Sequence, residues 1–321
     1  MTKILIIGGG GMIGQKLAQR IVDADIFPGA DLTLFDRTFP VGGVAAKTIT
    51  GNTSDPASAR KLAAARPDII FHLAAIVSGQ SEAEFGLGWD VNMMATWHLL
   101  SALKDAHEAS GGTYRPRVVF TSSIAVFGAP FPEKIGDEFL SAPQTSYGAQ
   151  KAASELMVTD FSRKGYIDGL SLRLPTICVR PGKANAAASS FFSGIIREPL
   201  NGVEAILPVS DTVRHWHASP RTAAGFLTHA AQMDTEKLEG RRALNLPGVS
   251  CTVAEQIEAL RRAAGQKAVD LIKPVPDQTI IDIVGGWPRN FAPDRATALG
   301  FRAESSFDEI IAVYMQDDFA P

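Results

Sequence analysis

The first half of the chain alternates short apolar runs with stretches of helical periodicity, and the second half does not. Lys3–Ile7 is an apolar run ending in glycines, and Met12–Val22 follows with Ile13, Leu17 and Ile21 at helical spacing. Leu32–Phe35, Ala46–Thr50, Ile69–Leu73, Val118–Ser122 and Leu170–Leu174 read as five further strands. Between them lie helical stretches at Pro56–Ala65, about Phe85–Ala109 and Ser146–Lys164. Ile69–Leu73 shows no polar alternation, the pattern of a strand buried on both faces. Strands joined through helices of this length pair in parallel, so the pattern predicts an α/β fold.

Beyond Pro175 the rhythm changes. Pro181 to Ser193 is rich in Gly, Ala, Asn and Ser and reads as a loop with a short helix. Pro220–Met233 and Thr252–Ala264 are helical, the second opened by a capping box, Thr252 with Glu255. Asp294–Leu299 and Phe307–Gln316 are short closing helices. We expect residues 1–175 to build the sheet domain, with about 220–250 returning to it, and residues 176–219 and 251–321 to build a smaller cap.

Chemistry enters at the first turn. Gly8, Gly9, Gly10, Gly11 and Gly14 contain both the Gly-x-Gly-x-x-Gly and the Gly-x-x-Gly-x-x-Gly frames. Between a strand and a helix, such glycines allow a tight turn, close approach of a pyrophosphate and close helix packing. N–H groups at the helix start, around Met12 and Ile13, would hold the phosphates. Asp36 ends the second strand, placed for a ribose 2′-hydroxyl. Its charge favours NAD, and Arg37 beside it leaves NADP open. The fold class expected is therefore a Rossmann-type doubly wound parallel sheet with a C-terminal substrate-binding cap.

Tyr147 and Lys151 lie at i and i+4 on one helix face, and Thr121-Ser122-Ser123 ends the preceding strand. A nearby ammonium lowers the pKa of a phenol, and a hydroxyl can hydrogen-bond the reacting oxygen while the phenolate takes a proton. This trio predicts alcohol–carbonyl redox chemistry.

With these residues the chain resembles the extended short-chain dehydrogenase/reductase superfamily, the nucleotide-sugar epimerase-like branch. The resemblance rests on Gly8/Gly11/Gly14, Asp36, Phe71 to Ala75, Val91-Asn92 with Thr96, and Ser122-Ser123 through Gly128. Tyr147/Lys151, Arg173-Leu174-Pro175 and Asp294 with Leu299-Gly300-Phe301 complete it. It implies that Asn52 and Thr53 lie near an adenine, and Ala74 and Ala75 along the nicotinamide ribose. Asn92 would support the lysine region beside the cofactor, Ser123 (with Ser122 as backup) would bind the reacting oxygen, and Pro175 would border the nicotinamide.

Two segments depart from the nucleotide-sugar pattern: Thr176 to Pro181 and Arg214 to Pro220. Leu174–Arg180, Ser189–Pro199 and Arg214–Pro220 resemble the D-erythronate dehydrogenases of the superfamily, which oxidise the 2-hydroxyl of a four-carbon sugar acid to a 2-oxo acid with NAD. A carboxylate substrate needs a guanidinium clamp, and Arg180 and Arg214 are the candidates, although a surface salt bridge accounts equally for either. Ser78 and Ser189 are candidate hydroxyl contacts; loop capping accounts equally for Ser78. His217 is a possible substrate contact, His72 a packed strand-end residue. A dehydrogenase of another aldonate or uronate, a nucleotide-sugar epimerase and a non-catalytic NAD-sensing protein are the alternatives. By the same resemblance, helices near Phe85–Ala109 and Ser146–Lys164 would pair into a homodimer.

Composition sets limits on partners. The 31 Lys+Arg against 34 Asp+Glu argue against a nucleic-acid binder, which needs a basic face. No apolar stretch reaches the roughly 18 residues of a membrane span, so no membrane partner is expected. The two cysteines, Cys178 and Cys251, form no metal or disulfide pattern, and a reducing cytoplasm is the expected compartment. His215 and His217, at i and i+2 on an extended segment, lack further ligands, so no metal is expected.

Overall fold

The computed structural model describes residues 1–182 and 187–319. Its main sheet comprises β1 (Lys3–Ile7), β2 (Asp31–Asp36), β3 (Lys47–Thr50), β4 (Ile69–His72), β5 (Arg117–Ser123), β6 (Asp168–Leu174) and β7 (Ala243–Asn245). The spatial order is β7-β6-β5-β4-β1-β2-β3, and every neighbouring pair is parallel. Chain direction across the sheet reverses between β1 and β4, where an open α/β sheet leaves a crevice at its carboxyl edge.

The apolar runs are explained by burial on both faces. Ile4 and Ile6 join one core cluster with Leu17, Ala18 and Ile21 of α1 (Met12–Asp23). Leu5 and Ile7 join another with Ala59 and Leu62 of α2 (Pro56–Ala64) and Leu99 and Leu103 of α3 (Ala95–Ala109). Each such side chain contributes roughly 1.5–3 kcal/mol. Helix α4 (Ser146–Arg163) covers β5 and β6 on the α3 side, and α5 (Pro220–Gln232) packs beside α1.

Strand β7 and α5 both lie on the main sheet, so part of residues 220–250 returns to it. The tail returns too: Ala296 and Phe301 pack into the α1-side core, whereas the sequence pattern assigned them to the cap. The cap has its own core, with Phe192, Ile195 and Ile196 of helix Ser190–Leu200 against Leu260, Ile310 and Tyr314. A three-stranded sheet runs beside it, ordered Val249–Thr252, Arg214–Ala218 and Thr176–Ile177. Among the described residues no helix is long and apolar enough to cross a membrane.

Candidate active site

The glycine turn lies at the β1/β4 crevice. Gly8 has φ +90°, in the region that favours glycine, and a Cβ there would sit 2.7 Å from Ala74 N. A Cβ on Gly14 would sit 2.2 Å from the Gly8 carbonyl oxygen. The Gly8 and Gly9 N–H groups donate to Phe35 O at 2.9 and 3.1 Å, fixing the turn against β2. Gly11 caps α1 without any side-chain hydrogen bond, so the first-turn donors near Met12 and Ile13 face outward. Close backbone, absent side chains and uncapped N–H groups fit the pyrophosphate of a dinucleotide.

Asp36 stands over this turn: its Oδ2 accepts from Gly10 N at 2.9 Å and its Oδ1 from Arg37 N at 2.6 Å. Asn52 is exposed and closes a turn by accepting from Ser54 N at 3.1 Å. Thr53 lines a small cleft with Ile7, Ala59, His72 and Leu99. Ala74 abuts Gly8, Ala75 is exposed beside it, and Pro175 is buried directly after β6.

Helix α4 delivers the second group of residues. Thr145 caps it by accepting from Gly148 N at 3.1 Å, and Glu82 accepts from both Ser146 N and Ser146 Oγ. Gly148 lets the helix close on the turn after β5, since a Cβ there would lie 2.1 Å from Ala125 O. That approach brings Tyr147 beside Ser123, whose hydroxyl favours the phenolate form. Ser123 Oγ also accepts from Ala125 N at 3.1 Å, which fixes its rotamer. One turn on, Lys151 Nζ lies 5.7 Å from the Tyr147 ring centroid and 4.7 Å from that of Phe120. It donates to Thr121 O at 2.9 Å.

Burial pushes the Tyr147 phenol up to about 12, against the pull of Ser123. Burial pushes Lys151 down to about 7, against the pull of the Glu155 carboxylate. Here the structure adds something to the expectation: low polarity around the pair works against both charged forms.

Ser122 is buried and donates to Glu155, away from the Tyr147 hydroxyl. Asn92 is buried in a π-helical turn, Asp90–Met94; it accepts from Ile76 N at 2.8 Å and donates to Gln150 and Ser81. With its amide satisfied, it ties the segment after β4 to α4. Ser78 opens the helix Ser78–Ala83 and is half-buried.

In the cap, Arg180 and Ser189 come together, with Nη2 donating to Oγ at 3.1 Å. Arg214 instead pairs with Glu255 at 3.2 Å on a partly exposed face and donates to Ser250 O. His217 is fully buried and contacts Gln256 at 2.9 Å, and burial holds it well below the usual imidazole range. His72 is buried against Thr96 and Phe120, and burial pushes it to about 3.

Comparison with known proteins settles the family. The profile of the NAD dependent epimerase/dehydratase family matches residues 4–238. The chain belongs to the NAD dependent epimerase/dehydratase family. A D-erythronate dehydrogenase of Cupriavidus necator is 46% identical, covering 98% of each chain. One of Haemophilus influenzae is 39% identical, covering 98% of this chain and 99% of the other. A crystal structure described as the nucleoside-diphosphate-sugar epimerase from Agrobacterium tumefaciens is 53% identical, with TM-score 0.93, covering 98% and 94%.

For this member of the epimerase/dehydratase family, sequence reasoning missed Glu82, Gln150 and Glu155. Gly148 carried a readable signal, a glycine within the helix beside the candidate base. The acids carried none, because their partners lie elsewhere in the chain.

Proposed function

We propose that the protein is an NAD-dependent dehydrogenase that oxidises the 2-hydroxyl of D-erythronate to 2-oxo-tetronate. The observation that supports this most is Tyr147 beside Ser123, with Lys151 one turn away, in a chain so similar to two D-erythronate dehydrogenases. Tyr147 takes the proton of the 2-hydroxyl, and Ser123 donates to the oxygen as its bond to carbon shortens. The Lys151 ammonium offsets the negative charge that Tyr147 carries as the phenolate before it takes that proton. NAD, when bound, accepts the hydride from carbon 2.

Gly8, Gly11 and Gly14 with the Met12 and Ile13 N–H groups hold the pyrophosphate, and Asp36 takes the adenosine ribose. Asn52 and Thr53 flank the adenine, while Ala74, Ala75 and Pro175 border the nicotinamide end. Asp36 favours NAD because its carboxylate repels a 2′-phosphate. Arg180 with Ser189 grips the substrate carboxylate, and Ser78 meets a hydroxyl; Arg214, occupied by Glu255, is the weaker candidate.

The second reading, a nucleotide-sugar epimerase, is favoured by the Agrobacterium structure. We place the protein in the cytoplasm as a homodimer formed through α3 and α4, where Trp97 is 44% and Leu156 72% exposed. The catalytic assignment is tested with Tyr147→Phe. NADH binding by fluorescence should stay near normal while turnover is lost; substantial residual turnover would remove Tyr147 as the base.

A further inference from the structure

Helix α4 carries a further side chain on the face of Tyr147 and Lys151, and this one is buried. Glu155 follows at the same four-residue interval and is 4% exposed. Three consecutive residues at the end of β5 meet this stripe. Ser123 lies beside Tyr147, Thr121 O accepts from Lys151 Nζ at 2.9 Å, and Ser122 Oγ donates to Glu155 Oε1. Arg173, the β6 partner of Ser122, grips Glu155 through Nε at 2.9 Å and Nη2 at 2.7 Å. Its Nη1 reaches Asn245 Oδ1 of β7 at 3.2 Å, and its guanidinium lies 4.8 Å from the Phe127 ring centroid.

Stability does not account for this arrangement. A buried ion pair loses its hydration, and well-packed apolar residues of similar volume often hold two elements together as well or better. Its position supplies another reason. The titratable groups that face Lys151 are Tyr147 and Glu155 on its own helix and His72 from β4, with Arg173 behind Glu155. His72 is neutral, because burial pushes it to about 3. Glu155, paired with the Arg173 guanidinium at 2.7 Å, is the carboxylate of this set.

We propose that Glu155 is a positioning residue for the proton transfer: it supplies the counter-charge of Lys151 and fixes the Ser122–Ser123 strand end on α4. This rests on the assignment of Ser123, Tyr147 and Lys151 as the catalytic set. Glu155 touches no reacting atom and acts through Lys151 and Ser123. Burial disfavours the Lys151 ammonium and Glu155 favours it, so loss of the carboxylate lets Lys151 shed its proton at lower pH. The Arg173 guanidinium, left without its partner, would push the same way.

The test compares pH profiles of kcat/KM, with D-erythronate and NAD, for wild type, Glu155→Gln and the double variant Glu155→Gln/Arg173→Met. In Glu155→Gln the alkaline limb should move down by about 1 pH unit, with kcat near neutrality down about tenfold and KM for NAD changed less than about twofold. The double variant carries no unpaired buried charge, so it should fold and keep the displaced limb. Tyrosinate absorbance, read as the difference from matching Tyr147→Phe proteins, should show Tyr147 titrating at higher pH in both variants. That second readout needs no substrate.

An unmoved limb and tyrosinate titration in both variants would overturn the proposal. So would their restoration in the double variant, which would make Glu155 a structural partner of Arg173 alone. Turnover by Tyr147→Phe would instead refute the catalytic set, a different failure read in a different protein.

Discussion

Replacing Arg180 with Met should raise the stability of the protein while removing its grip on substrate, two effects of opposite sign. The Arg180 guanidinium is largely buried, donates to Ser189 Oγ at 3.1 Å, and forms no ion pair among the described residues. Its backbone is pinned on both sides: Ser193 Oγ accepts from its N–H at 3.0 Å and Arg197 Nη1 donates to its carbonyl at 2.7 Å. Burial disfavours its charge, and Arg197 adds repulsion. Met keeps the volume of the aliphatic stem and loses one hydrogen bond, about 1 kcal/mol. Relief of a partly buried charge that has no ion pair among the described residues is larger, so a net gain of about 1–3 kcal/mol is expected. That corresponds to a Tm rise of roughly 2–4 °C for each kcal/mol.

The same change removes a charge-assisted fork on the substrate carboxylate, about 3 kcal/mol or roughly 100-fold in kcat/KM. Scanning fluorimetry and steady-state kinetics on one preparation read both effects. Arg180→Lys is the control, because it keeps the charge and loses the fork. Unchanged kcat/KM with a lowered Tm would show that Arg180 is structural and would refute the reasoning.

Three further outcomes are expected. Gly14→Ala places a methyl 2.2 Å from Gly8 O and forces the turn to move, a strain of about 1–3 kcal/mol that should weaken NADH binding about 10- to 100-fold in a fluorescence titration. Burial holds Lys151 at about 7 against its ordinary 10.5, so between these values the unfolded chain carries a proton that the folded chain lacks. Stability of the cofactor-free protein should therefore rise with pH across that window and fall as pH drops through about 7; urea midpoints of Lys151→Met should lose this slope. Leu156→Glu should convert a dimer to a monomer in light scattering, given the 72% exposure of Leu156, and a wild-type monomer would refute the proposed interface.

Much of the fold was legible because burial on both faces leaves a plain signature. Lys3–Ile7 could be read as a central strand since four of its five residues are buried. The glycine turn was legible for the same reason that it works: side chains are excluded there by contacts as close as 2.2 Å. Arg214–Ala218 was read as an extended segment but could not be placed in a sheet. Its two histidines look polar, yet both are buried and hydrogen-bonded, His215 to Thr176 and His217 to Gln256. Those partners lie 39 residues away in the chain, where local pattern carries no information.

Ala243–Asn245 was too short to show periodicity, and only its pairing with β6 makes it a strand. The helical stretch expected at about Phe85–Ala109 is interrupted by the π-helical turn around Asn92, whose amide serves three other segments. In the site, Tyr147 and Lys151 were readable from their spacing. Glu82 and Glu155 were not, because an acid on a helix is ordinary until its contacts with Ser146, Ser122 and Arg173 are known.

The most direct test of the central claim is net NADH formation by the purified protein with D-erythronate, measured beside UDP-glucose and a panel of other aldonates. Stoichiometric NADH with D-erythronate, and none with the nucleotide sugar, is the result predicted. Interconversion of a nucleotide sugar without net NADH, and no turnover of any aldonate, would contradict it.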